Sequence, residues 1–74
     1  MYDKVYEIIK EEAARYGITA SKLTSPGRRK TTVAARRAAV IRVRAETELS
    51  LSEIADAFGF KDHSSVVHYL ETEK

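Results

Sequence analysis

Seventy-four residues with 13 Lys and Arg against 11 Asp and Glu, and no Cys, make one domain, spanning 1–74, near the lower size at which a single hydrophobic core sustains a fold. Lack of cysteine excludes a disulfide framework, a thiolate metal site and a cysteine nucleophile, and a small unbridged fold suits a reducing compartment, so the expected location is cytoplasmic. No apolar run approaches the length of a membrane span, and the opening MYDKVYEIIKEE carries acids where a targeting peptide would be basic.

The first element is an amphipathic helix. Tyr2, Val5, Tyr6, Ile9, Ala13 and Tyr16 recur at spacings of three and four, with Asp3 placed to cap the start and Gly17 to end it. Thr19 is positioned to cap a short helical piece through Leu23, before Ser25-Pro26-Gly27 breaks the pattern and delivers Arg28, Arg29 and Lys30. A long helix is expected from Thr31 or Thr32 to about Thr47, with Ala34, Ala38, Ile41 and Ala45 on its inner face. Lys30, Arg37 and Arg44, seven apart, lie about two turns from one another and share its other side. In SLSEIADAF, Ser50 followed by Glu53 matches the reciprocal capping box of a further short helix, with Ile54 and Phe58 as its apolar stripe. Gly59 supplies the positive-φ residue at its end. Asp62 is placed to cap a last helix through Leu70, with Val66, Val67 and Leu70 toward the core. The expected fold is therefore all-α, a small domain of four to five helices.

Charge is unevenly distributed. From Ala13 to Ala45 there are nine Lys and Arg residues and no acid, while the remainder of the chain carries a net −7. Such separation builds a positive face, the electrostatic footprint of a polyanion binder.

The segment FKDHSSVVHYL sets an acid, an imidazole and two hydroxyls side by side. Consecutive helical residues point about 100° apart, so Asp62, His63 and Ser64 do not converge as orienting acid, base and nucleophile. No GxSxG elbow occurs either, and no enzymatic activity is expected. His63 and His68 stand five apart rather than four and diverge, which argues against a metal site. Asp62 suits a helix cap, but capping does not account for His63, Ser64 and Ser65. In a helix-turn-helix, the polar first turn of the second helix is what meets base edges in the major groove. Ala55 four residues before Gly59 fits the first helix of that motif, and the apolar anchor at Val66 implies a slightly longer turn containing Phe60 and Lys61.

SLSEIADAFGFKDHSSVVH, with Lys61-Asp62-His63-Ser64-Ser65 at its centre, resembles the signature of the C-terminal DNA-binding domain of the bacterial replication initiator DnaA. The resemblance continues back through GRRKTTVAARRAAV and the first helix. It implies a helical, Trp-repressor-like fold in which a helix-turn-helix enters the major groove and an upstream basic loop reaches the adjacent minor groove. By position, Asp62, His63, Ser64 and Ser65 become base or groove contacts, Arg28 the minor-groove arm, and Arg44 a DNA contact, with Lys61 holding a phosphate. Charge and helical phase add Arg29 to the arm and Lys30 and Arg37 to the phosphate contacts. Serine stands at 64 and 65 where the family usually has threonine, which removes methyl contact with thymine and implies an altered site preference. No Walker motif GxxxxGK[ST] occurs, so no nucleotide is expected to bind this chain. The expected partner is double-stranded DNA, bound sequence-specifically at DnaA-box-like sites by a monomer without cofactor, metal or membrane. A rival reading makes the acidic first helix a docking surface for a protein partner.

Overall fold

The computed structural model describes residues 2–25, 29–60 and 63–71, which form five helices and no strand. They are α1 (Asp3–Arg15), α2 (Ala20–Thr24), α3 (Lys30–Glu46), α4 (Leu51–Phe58) and α5 (Ser64–Glu71). The all-α expectation holds.

Helix ends follow the local chemistry with two departures, at the starts of α1 and α5, and α3 begins at Lys30 rather than at Thr31 or Thr32 and ends at Glu46. Tyr2, not Asp3, flanks α1: its carbonyl accepts the first bond from Tyr6 N–H at 3.0 Å, and Asp3 is the first helical residue. There its carboxylate lies near the positive end of the helix dipole rather than capping a donor. The exit of α1 is closed by Gly17 at φ 71°, with Ile18 N–H bonding the Ala13 carbonyl at 2.9 Å and Gly17 N–H the Ala14 carbonyl at 3.2 Å, the paired bonds of a Schellman turn. The exit of α4 repeats the device: Gly59 has φ 78°, Phe60 N–H bonds the Ala55 carbonyl at 2.8 Å and Gly59 N–H the Asp56 carbonyl at 3.1 Å. Thr19 caps α2 by accepting from Lys22 N–H at 3.1 Å. Both halves of the expected Ser50/Glu53 capping box form, at 3.2 and 2.8 Å. The second departure is α5, whose first bond runs from Val67 N–H to the His63 carbonyl at 3.1 Å. His63 therefore flanks the helix, where the sequence had pointed to Asp62, which itself lies outside the described residues.

The core draws on every helix: Val5, Ile8, Ile9 and Ala13 from α1, Leu23 from α2, Ala35, Ala39, Val40 and Val43 from α3, Ile54, Ala55 and Phe58 from α4, and Val66 from α5. Burying a side chain such as Phe58 stabilises the fold by about 1.5–3 kcal/mol. Tyr6, expected on the inner face of α1, is half exposed, and Ile8 takes that role. The inner face of α3 is likewise not Ala34, Ala38, Ile41 and Ala45 but Thr32, Ala35, Arg36, Ala39, Val40 and Val43. Small apolar residues occur on several sides of this helix, so its own pattern leaves the rotation open. Packing against the larger side chains of α1 on one side and against α2 and α5 on the other fixes it.

Electrostatic ties join α1 to the end of α3. The Glu12 side chain is fully buried and accepts from Arg42 at 3.0 Å and from Arg15 at 3.4 Å. Arg42 also reaches Glu11 at 2.8 Å and Glu46 at 2.8 Å, and Lys4 lies 3.6 Å from Glu46. The hydrogen bond to Glu46, followed by those to Glu11 and Glu12, raises the Arg42 pKa further above its ordinary value. Arg42 in turn is the main reason that the Glu46 carboxyl sits below its ordinary 4.5. Among the described residues, no helix is long and apolar enough to cross a membrane.

Candidate nucleic-acid interface

The polar start of α5 faces outward. His63 and Ser64 are exposed and Ser65 is partly buried, while Val66, the next residue, is fully buried. A turn of helix thus divides sharply between a solvent-facing tip and a core anchor, as a helix anchored at one end requires. His68, further along, is exposed and meets Tyr69 edge-on at 5.8 Å between ring centroids.

The turn before the tip is held by an aromatic stack. Phe60 is partly buried, 5.5 Å from the Phe58 ring on one side and 5.8 Å from the Tyr69 ring on the other, near parallel to both. Phe60 belongs to the longer turn expected from the late apolar anchor, and its ring spans from α4 to α5. Lys61 and Asp62, also assigned to this tip, lie outside the described residues.

The end of α2 reaches the same place. A cleft of about 360 Å³ is lined by Thr24 and Ser25 from that end, Arg36 from α3, Phe60 from the turn, and Ser65 and Tyr69 from α5. The chain continues from Ser25 into the basic loop, whose Arg28 lies outside the described residues. Arg29 flanks α3 in extended conformation and is exposed. Loop root and helix tip, forty residues apart in sequence, therefore border one cleft.

The central helix brings Lys30 and Arg37 together as their spacing required. They line a shallow hollow of about 300 Å³ with Val33 and Ala34 between them. Arg37 Nε is buried and has no hydrogen-bond partner among the described residues. Arg44 is exposed and donates to the Leu49 carbonyl at 3.3 Å, which orients it at the far end of the same helix.

Among the described cations of the basic stretch, Arg36 is buried and Arg42 is partly buried within an ion-pair cluster. Arg42 is engaged by the three carboxylates of Glu11, Glu12 and Glu46. Arg36 is only 5% exposed, its Nε donating to the Leu23 carbonyl at 2.9 Å, one Nη to the Tyr69 hydroxyl at 3.0 Å and the other to the Ser25 carbonyl. Sequence reasoning missed both roles. Arginine weighs against burial in any periodicity count, and nothing local signals that two carbonyls and a hydroxyl from other elements will satisfy its fork.

Residues 5–72 match the family described as "Bacterial dnaA protein helix-turn-helix". The chain belongs to this family. It is similar to chromosomal replication initiator proteins DnaA, being 38% identical over 88% of its length to that of Thermus thermophilus, 41% over 89% to that of Nautilia profundicola and 43% over 82% to that of Cutibacterium acnes. The matched region is 12–15% of those relatives' own length. No solved structure matches the chain. The helices α4, followed by Gly59 and Phe60, and α5 are the pair that the sequence assigns to the helix-turn-helix.

Proposed function

We propose that this chain binds double-stranded DNA sequence-specifically, at DnaA-box-like sites, in replication initiation or its regulation. The tip of α5 with Asp62, His63, Ser64 and Ser65 enters the major groove, and Arg28 and Arg29 reach into the adjacent minor groove. Lys30, Arg37, Arg44 and Lys61 hold phosphates. It acts as a monomeric binding module with no catalytic step of its own.

The observation that carries the reading is the meeting of loop root and helix tip at one cleft, Ser25 and Ser65 among its walls, beside an outward, polar first turn. A helix presenting an imidazole and hydroxyls has the donors and acceptors that base edges demand. Phosphate contacts from Lys and Arg supply affinity without sequence information. The two cationic side chains of Lys30 and Arg37, lining one hollow, suit a phosphate.

The rival docking surface on α1 is weakened by the same geometry, because Glu11 and Glu12 are engaged by Arg42. In-vitro selection from randomised duplexes tests the proposal. A DnaA-box-like motif is the expected winner, and a pool that stays random after selection overturns sequence-specific recognition.

A further inference from the structure

The internal arginine of α3 does more than fill a gap. Arg36 grips the chain where the basic loop begins, at the carbonyls of Leu23 and Ser25, and with the same guanidinium it holds the Tyr69 hydroxyl on α5. Tyr69 in turn stacks on Phe60, and Phe60 on Phe58. An unbroken path of directed contacts therefore runs from the loop root, through α3, to α5 and the turn that aims its tip. The guanidinium is a rigid planar fork, so its donors cannot shift independently of one another.

We propose that Tyr69 and Arg36 are positioning residues that couple the basic loop to the tip of α5, so that both reach their grooves in a fixed relation. This rests on the DNA-binding reading above. Neither residue touches the duplex in this account; both act through Ser25, the last residue before the loop. Fixing Leu23 and Ser25 in the free protein removes ordering that binding would otherwise impose at the loop root. Coupling of this kind makes the contribution of the arm conditional on the tyrosine hydroxyl.

Tyr69→Phe tests it, since the ring and its stack stay while the hydroxyl goes. Binding is measured on the duplex that the wild-type chain enriches from a randomised pool, for wild type, Tyr69→Phe, Arg28→Ala and the double variant. Tyr69→Phe is expected to weaken binding about five- to tenfold, the scale of one net hydrogen bond. In the Arg28→Ala background the same change is expected to cost less than twofold, because the arm it positions is gone. Losses that simply multiply overturn the coupling and leave the DNA reading intact, as independent sites behave this way. Absence of any enriched duplex overturns both. In the free protein, backbone amide resonances of Thr24 and Ser25 are expected to move in Tyr69→Phe while those of Ala39 and Val40 stay. Unmoved loop-root resonances overturn the proposal without reference to DNA.

Discussion

His63 and Arg37 stand for two kinds of contact that different side chains make with a duplex. His63 flanks a helix start and is exposed, so its imidazole is free to meet a base edge whose pattern changes with sequence. Arg37 lies in a hollow with Lys30, and a phosphate is the same at every step of a duplex. His63→Ala is therefore expected to cost about 1–3 kcal/mol on the preferred site and little on random duplex, flattening selectivity. Arg37→Ala should weaken both alike. Binding isotherms for the two variants on matched and scrambled duplexes check this, and superimposable profiles would discredit the division of labour.

The helix-turn-helix depends on how α4 ends. Gly59 takes φ 78°, and a side chain added there would meet no atom within 4 Å, so a substitution meets backbone strain and no collision. The left-handed conformation costs a non-glycine residue about 1–2 kcal/mol, and Gly59→Ala should lower unfolding stability by roughly that amount in a urea titration. The same variant tests the turn's role in aiming α5, because Phe60 N–H, stack and tip all follow from that residue. A stability loss of about 1 kcal/mol with unaltered site preference would mean that the aromatic stack alone holds α5 in place. By contrast α1 and α3 are joined by the cluster around Arg42, which buries Glu12 completely and leaves the other partners partly exposed. These contacts orient the scaffold rather than the reading tip.

The whole molecule measures 28 × 24 × 23 Å, longer than half a helical turn of duplex, about 17 Å. One copy is thus large enough to touch a major groove and the minor groove beside it. About six phosphate contacts would make log affinity fall against log salt with a slope near −5; a flat response would remove the electrostatic half of the proposal. Acid sensitivity of the fold follows from Glu46. Arg42 holds its carboxyl below the ordinary 4.5, so as pH falls the unfolded chain takes up that proton first. The stabilisation is complete above about pH 4.5 and is lost as pH falls through the lower folded value. Glu46→Gln should reduce the slope of stability against pH in that acid range and leave it unchanged near neutrality.

The caps at Thr19 and Ser50, the glycine exits at Gly17 and Gly59, and the polar tip followed by Val66 were all legible in the sequence, because each depends on residues within one turn of chain. The family resemblance was legible for the same reason, as its core is a contiguous run. Which side of α3 faces inward was not, nor was the burial of Arg36 and Glu12. An alanine-rich helix offers several equivalent faces, and packing against α1, α2 and α5 chooses among them. A charged group becomes internal when partners distant in sequence supply its hydrogen bonds: Leu23, Ser25 and Tyr69 for Arg36, and Arg42 for Glu12. Local chemistry thus determined the helices and most of their ends, while three-dimensional proximity decided which cations remain on the surface and which hold the scaffold together.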